Sequence, residues 1–202
     1  SKDIRRTVFY EKSTKQELEV LVAFARDGNG RITGGQQILL DSKTNKKADV
    51  EVAKRSFGKI AGSFVNVGSV GNGDINIDIH RELKCDSSSD VSNRRSITII
   101  AEGLETALSV KQALVHDVAH QDKEIKILCA LGISNIKNYQ PLSGEKIIIA
   151  ADNDGKEAVT NKTIEVAKNE LLSKGAFVEI VSPSIVGDFN DILKDKGLGE
   201  QE

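Results

Sequence analysis

Two short apolar runs, each followed at once by acidic residues, constrain the fold of this chain most strongly. Residues 97–101 read ITIIA and lead into Glu102, and residues 147–151 read IIIAA and lead into Asp152 and Asp154. Isoleucine-rich runs of this length are typical of strands that are buried on both faces of a parallel sheet. Because open α/β sheets bind ligands beyond the carboxyl ends of their strands, we expect the three carboxylates to lie at one ligand-binding edge.

Carboxylates gathered at such an edge repel one another unless positive charge lies between them. A hard divalent cation with oxygen ligands, Mg²⁺ or Mn²⁺, answers this need and indicates chemistry on phosphates. Gly103 and Gly155 follow the acidic residues and remove side-chain bulk, which lets backbone and metal approach closely. The alternative is that Asp152 caps the helix that follows, since aspartate is favoured there, but a cap explains one acid and not three.

The composition is that of an ordinary globular chain with one local charge asymmetry. The 202 residues suit one α/β domain with a small attached module, and 28 basic against 30 acidic residues give a net charge of −2. No global field therefore favours nucleic acid, and any basic surface must be local. Residues 1–60 are mildly positive, which predicts either such a surface or merely a solvated face.

Several classes of protein find no support in the sequence. Cys85 and Cys129 do not make a disulfide framework, which favours a reducing, cytoplasmic setting. No signal peptide or membrane-spanning stretch is visible, so we expect no membrane partner. His80, His116 and His120 show no zinc spacing with the cysteines, and no serine nucleophile pattern is present. The chain has no methionine, and we expect it to be a fragment of a longer polypeptide.

Residues 1–90 show the patterns of a small β-rich subdomain. Apolar and alternating runs predict strands of two hairpins at residues 18–24, 32–40, 63–67 and 75–79. Residues 1–18 are polar and are predicted to be helical or frayed. Gly68, Gly71 and Gly73 lie in the second hairpin; a phosphate-binding loop is the alternative there, but no helix follows and no Walker pattern is present.

Residues 97–202 instead alternate between strands and helices, after a polar boundary segment. Predicted strands lie at residues 97–101, 125–130, 146–151 and 177–181. Predicted helices lie at residues 104–118 and 155–174, the second ending at Gly175, with shorter turns or helices at 132–138 and 189–195. This alternation predicts right-handed βαβ units and an α/β fold with a parallel sheet flanked by helices.

The two acidic segments resemble a known family. ITIIAEGLETALS at residues 97–109 and IIIAADNDG at residues 147–155 are similar to the Toprim domain, the catalytic module shared by bacterial primases, topoisomerases and several nucleases. EGLETALS and GDFNDIL, at residues 187–193, resemble its branch in phage and plasmid primases and in conjugative relaxases of mobile elements. DGNGRITGGQQILLD at residues 27–41 and KRSFG at residues 54–58 resemble the segment that precedes Toprim in that branch.

The resemblance implies a Rossmann-like Toprim fold at residues 97–202 and assigns roles to acidic residues. Glu102 matches the family glutamate, a general acid/base or metal-site residue. Asp152 and Asp154 match the metal-binding pair. Asp188 or Asp191 matches a downstream acidic position, although Asp188 could instead cap the last helix, with Asp191 solvated.

One position departs from the pattern of many Toprim proteins, which carry an aspartate four residues after the motif glutamate. That position is Thr106 here. The neighbouring Glu105 is expected to point elsewhere on the helix, and the plasmid-type branch tolerates this form.

Basic residues of the amino-terminal part are candidates for contact with nucleic-acid or nucleotide phosphates, which Lys and Arg suit. The candidates are Lys54, Arg55, Lys59 and, next, Arg31. Aromatic residues make up only 4% of the chain, so base-specific reading of single strands is not expected here.

The resemblance implies metal-dependent phosphoryl transfer, foremost primase-like synthesis of RNA primers from nucleotides on single-stranded DNA, with Mg²⁺ or Mn²⁺ as cofactor. Other domains of a larger parent polypeptide would be partners. Two alternatives stay open: a Toprim nuclease, and a non-catalytic accessory domain of a relaxase that binds DNA or protein partners. A topoisomerase would need a nucleophilic tyrosine, and neither Tyr10 nor Tyr139 lies in a recognisable context.

Overall fold

The computed structural model describes residues 1–12, 15–44, 46–71, 97–116, 124–153, 159–184, 186–187 and 189–191. These residues form two sheets. The predicted strand at residues 75–79, the polar boundary at 85–96 and the first residues of the helix predicted at 155–174 lie outside the described part of the chain.

The first sheet is antiparallel, with the strands in the order of the sequence. Its strands are β1 (Ile4–Glu11), β2 (Gln16–Arg26), β3 (Ile32–Leu40) and β4 (Lys54–Gly58). The predicted hairpin of β2 and β3 is confirmed, and its turn is held by the Asp27 carboxylate, which accepts hydrogen bonds from the backbone N–H groups of Asn29 and Arg31, both at 2.9 Å.

Two strands of this sheet differ from the expectation. The amino-terminal segment, predicted to be helical or frayed, is β1, because its backbone pairs with β2 from Ile4 to Glu11 despite its polar sequence. The short strand β4 carries no alternating pattern. It forms because Gly34 and Gly35 on β3 leave room for its backbone and for the Phe57 ring.

The second sheet is mixed, with the order β5-β7-β6-β8-β9. Its strands are β5 (Val65–Val70), β6 (Ile97–Ala101), β7 (Ile125–Cys129), β8 (Lys146–Ala150) and β9 (Phe177–Val181). The last four strands are parallel, as predicted. Strand β5 is the exception, since it joins this sheet antiparallel to β7.

Helices cover both faces of the second sheet. Helix α1 (Leu104–His116) packs on one face through Leu104, Ala107 and Val110. Helix α2 (Val159–Ser173) and a 3-10 helix (Ile133–Asn138) cover the other face. Gly175, with φ of 86°, ends α2 as predicted. The α/β fold flanked by helices and preceded by a β-rich sheet is therefore the expected one.

Buried polar contacts join the first sheet to the second. Asn135 of the 3-10 helix donates through Nδ2 to the carbonyl oxygens of Ile60 and Ser63, at 3.0 and 2.8 Å, and its Oδ1 accepts from the Gly62 N–H at 2.8 Å. Residues of β2 and β3, including Ala25 and Ile38, share one core with α1. The first sheet therefore lies against the helix that follows Glu102.

Candidate functional site

Glu102 and Asp152 follow neighbouring parallel strands at the same edge of the second sheet. Ala101 of β6 is in register with Ala150 of β8, so the chain places Glu102 one residue beyond the first strand and Asp152 two residues beyond the second. Both residues are half-buried. The backbone carbonyl of Glu102 accepts a hydrogen bond from the Gly132 N–H at 3.1 Å, which fixes this turn against the end of β7. The predicted ligand-binding edge thus carries these two carboxylates.

Thr106 joins helix α1 to the end of β8. Its Oγ1 donates a hydrogen bond to Asp152 Oδ1 at 3.0 Å, and the residue is only 3% exposed. The same hydroxyl would lie 3.9 Å from a Cβ built on Gly103. The glutamate turn, the first turn of α1 and Asp152 therefore meet at one place, and the residue that departs from the Toprim pattern makes the contact.

The segment around Gly187 lies beside the loop that follows β8. The backbones of Asn153 and Gly187 exchange two hydrogen bonds, at 2.9 and 3.0 Å, and Asn153 Nδ2 donates to the Pro183 carbonyl at 3.0 Å. A Cβ on Gly187 would stand 2.8 Å from Asp191 Oδ2, so the exposed Asp191 turns its carboxylate back toward this loop. Of the other predicted acidic residues, Asp154 and Asp188 lie outside the described residues.

Glu105 brings two lysines of the amino-terminal part to the start of α1. Lys47 Nζ lies 3.3 Å from Glu105 Oε1, and Lys54 Nζ lies 3.8 Å from Oε2. Partial burial acts to raise the pKa of Glu105, but the Lys54 and Lys47 ammonium groups outweigh it and hold that pKa below its ordinary value. Glu105 thus points at the first sheet, three residues after Glu102.

The predicted phosphate-contacting cations do not form one cluster among the described residues. Lys54 pairs in register with Ile38, at the end of β4 that faces α1. Arg55 is half-buried on the opposite face of β4, since side chains alternate along a strand. Lys59 and Arg31 are exposed at the far end, where the Lys59 N–H donates to the Thr33 carbonyl at 2.9 Å. Of the predicted cations, Lys54 is therefore the one that approaches the start of α1, through its ion pair with Glu105.

The carboxylate oxygens of this edge suit a hard divalent cation, because Mg²⁺ is commonly held by one or two protein carboxylates, with waters and substrate phosphates completing its shell. Glu102 and Asp152 supply two such groups from rigid strand ends. Within the described residues, no three histidine, cysteine, aspartate or glutamate side chains converge as a metal-binding group. The donor chemistry fits the cation, with Glu102 and Asp152 as the residues that could hold it.

A cavity of about 270 Å³ adjoins Asp152 on the side of α2. Its lining is polar at Asn153, Asn161 and Ser182 and apolar at Ile164 and Ile180. The edge of the sheet therefore offers room next to the carboxylate.

Two residues near this site, Thr106 and Lys47, were not predicted from the sequence as functional residues. The hydroxyl of Thr106 was recognised only as a departure from a pattern, and Lys47 lies in a polar turn that carries no motif. No local pattern could have paired Lys47 with Glu105, because the contact joins the loop between β3 and β4 to helix α1, which is distant in sequence. As for membranes, no helix in the described part of the chain is long and apolar enough to cross one.

Comparisons with known proteins agree with the geometry at the level of the family. A family described as a domain of unknown function (DUF7146) matches residues 4–67. No curated protein matches the chain. The family described as the Toprim domain matches residues 97–199, which is just over half of the chain.

Two solved structures are similar to the chain. A DNA primase domain from Pseudomonas aeruginosa has a TM-score of 0.46 and 12% identity, over 94% of this chain and 52% of that one. The Aquifex aeolicus primase, in a structure of its zinc-binding and RNA polymerase domains, has a TM-score of 0.46 and 14% identity, over 98% and 42%. The chain thus spans about half the length of the structures that it matches. Because the Toprim family matches residues 97–199, just over half of the chain, the chain belongs to the Toprim domain family.

Proposed function

We propose that this chain is the catalytic core of a primase-like nucleotidyltransferase, which joins ribonucleotides into primers on single-stranded DNA as part of a larger plasmid, phage or conjugative-element protein. The observation that carries the proposal is the Toprim match together with Glu102 and Asp152 at neighbouring strand ends. Lys47 and Lys54 add support, because their ion pairs with Glu105 bring positive charge to helix α1, which begins two residues after Glu102.

In this reaction, the 3′-hydroxyl of the growing primer attacks the α-phosphorus of a nucleoside triphosphate. A new P–O bond forms between the 3′-oxygen and the α-phosphorus. The bond between the α-phosphorus and the oxygen that bridges to the β-phosphate breaks, and pyrophosphate leaves. Mg²⁺ or Mn²⁺, when bound, supplies neutralisation of the phosphate charge. Glu102 would accept the proton of the attacking hydroxyl. Asp152, together with Glu102, would hold the cation.

Fixed geometry is what this chain contributes to such a step. The hydrogen bond from Gly132 to the Glu102 carbonyl and that from Thr106 to Asp152 hold the two acidic residues on separate, rigid elements. Positioned groups of this kind remove orientational freedom before the reaction begins. Lys54, with Arg55, Lys59 and Arg31 along the first sheet, would contact the phosphates of template or nucleotide.

The test is primer synthesis on single-stranded DNA with nucleoside triphosphates and Mg²⁺ or Mn²⁺. We expect synthesis by the unmodified chain and its loss in Asp152→Asn, which keeps the shape of the side chain and removes its charge. Asp49→Asn is the matched control, because Asp49 is exposed in the loop before β4, and this variant should retain synthesis. Synthesis that survives Asp152→Asn would overturn the proposal.

A parallel incubation with labelled DNA and Mn²⁺, without nucleotides, separates the alternatives. Cleavage that Asp152→Asn abolishes, with no synthesis, would replace the primase by a nuclease. DNA binding that Asp152→Asn leaves unchanged, with neither reaction, would make the chain an accessory binding domain.

A further inference from the structure

Thr106 places a hydroxyl at the position of the site where many Toprim proteins carry the carboxylate of an aspartate. It lies in the first turn of α1, four residues after Glu102, and its side chain is directed at Asp152 Oδ1 at 3.0 Å. Its neighbours Leu104 and Ala107 are fully buried, so the turn that carries Thr106 is fixed by the core. The core therefore holds the backbone of Thr106 where its hydroxyl can reach Asp152.

A neutral donor at this place has a different effect from a further acid. An aspartate would bring a second negative charge to within hydrogen-bond distance of Asp152, and two such carboxylates repel unless a cation lies between them. A threonine hydroxyl instead donates to the carboxylate and orients it with no added charge. The contact is thus suited to holding Asp152 in one geometry before any cation binds.

We propose that Thr106 is a positioning residue, which orients the Asp152 carboxylate for the divalent cation and is not itself one of the ligands. This inference rests on the proposed function, since it needs a cation at Asp152. Partners that orient a metal-binding carboxylate through a hydrogen bond are known to raise the affinity of metal sites, and their loss costs roughly 10–100-fold.

A matched control for this contact lies at the opposite end of the second sheet. Thr98, on β6, is 1% exposed and donates to the buried Glu145 Oε1 at 2.5 Å. Thr98→Val and Thr106→Val therefore make the same chemical change, each removing a hydrogen bond from a buried threonine to a carboxylate. Only the second one borders the candidate site.

The experiment is a titration of the whole chain with Mn²⁺, with bound ion measured by electron paramagnetic resonance. We expect Thr106→Val to weaken Mn²⁺ binding about tenfold, Thr106→Ser to stay within about twofold of the unmodified chain, and Thr98→Val to leave affinity unchanged. Thr106→Ala serves as a second variant without the hydroxyl, should the valine not fold. Circular dichroism checks the fold of each variant.

The outcomes separate this proposal from the one on which it rests. If Asp152→Asn loses Mn²⁺ while Thr106→Val and Thr106→Ala bind it like the unmodified chain, the positioning role is wrong and the metal site stands. If Thr98→Val weakens binding as much as Thr106→Val, the effect belongs to the fold and the positioning role is again wrong. If Asp152→Asn binds Mn²⁺ normally, or the unmodified chain binds none, both proposals fall.

Discussion

Glu105 Oε1 of helix α1 lies 3.3 Å from Lys47 Nζ, and this ion pair joins the loop between β3 and β4 to the start of the helix. Lys54 on β4 approaches the other carboxylate oxygen at 3.8 Å. One acid thus anchors two cations that are seven residues apart in sequence. Because Glu105 follows Glu102 by three residues, the contact brings Lys54 of β4 to the start of the helix that follows the candidate site.

The first prediction concerns the pH dependence of this contact. The pKa of Glu105 lies below its ordinary value of 4.5, since Lys54 and Lys47 outweigh the opposing effect of burial. A carboxyl with a lowered pKa stabilises the fold fully above its ordinary value, and this contribution is lost as pH falls through the lower value of the folded state. We expect Glu105→Gln to reduce the free energy of unfolding at pH 7 by less than about 1 kcal/mol, because the pair is partly exposed.

Urea denaturation of both chains at pH 7 and at several values below 4.5 measures this difference. The gap between the unmodified chain and Glu105→Gln should narrow as the pH falls. A gap that stays constant or widens toward acid would contradict the assigned pairing. High salt at pH 7 should also narrow the gap, since exposed ion pairs are screened.

The second prediction concerns Gly35 on β3, which packs closely against both β2 and β4. A Cβ on Gly35 would lie 2.2 Å from the Ala23 carbonyl oxygen and 2.8 Å from Phe57 Cζ, and both distances are too short to be accommodated without movement. We expect Gly35→Ala to lower the free energy of unfolding by about 1–3 kcal/mol or more, as overpacking does. Thermal denaturation followed by circular dichroism measures the loss.

Gly28 offers the control for this substitution. Apart from its two neighbours in the chain, no described residue has an atom within 4 Å of a Cβ built on Gly28. Gly28→Ala should therefore change the free energy of unfolding by no more than about 0.5 kcal/mol. Equal effects of the two substitutions would mean that β2 and β4 do not pack against Gly35 as closely as described.

The central parallel strands were predictable because their apolar sequences indicate that they are buried. Residues 97–101 and 146–150 are almost wholly apolar, and a strand buried on both faces needs no partner to be recognised. The end of such a strand then locates Glu102 and Asp152 without further information. The roles of Glu102, Asp152, Asp154, Asp188 and Asp191 in metal binding remain predictions.

The remaining elements depend on partners that are distant in sequence. Strand β1 has exposed apolar side chains at Val8 and Tyr10, and only pairing with β2 makes it a strand. Strand β5 joins the second sheet through its register with β7, and no local pattern indicates this pairing. The strand at residues 75–79, with which a hairpin was predicted, lies outside the described residues. The hydrogen bond from Thr106 to Asp152 spans 46 positions and has no local pattern.

The third prediction concerns the thiol beneath the glutamate turn. Burial raises the pKa of Cys129 to about 12, and its Sγ lies 3.6 Å from the Glu102 carbonyl oxygen, to which it donates. Since the thiolate is the reactive form, we expect no alkylation of Cys129 by iodoacetamide at pH 8 in the native chain. The variant Cys85→Ser leaves Cys129 as the single thiol, and mass spectrometry then reports its labelling directly. Rapid labelling without urea would contradict the buried placement.

The fourth prediction concerns Asn135, which is 5% exposed and joins the linker between the sheets to the end of β7. Its Nδ2 donates to the carbonyl oxygens of Ile60, Ser63 and Ala130 at 2.8–3.0 Å. Asn135→Ala leaves these buried acceptors without that donor, so we expect a loss of about 2–4 kcal/mol in the free energy of unfolding. Urea denaturation measures it, with Asn29→Ala, in the exposed turn between β2 and β3, as the control that should change little. A loss below about 1 kcal/mol for Asn135→Ala would mean that these bonds do not hold the two sheets together.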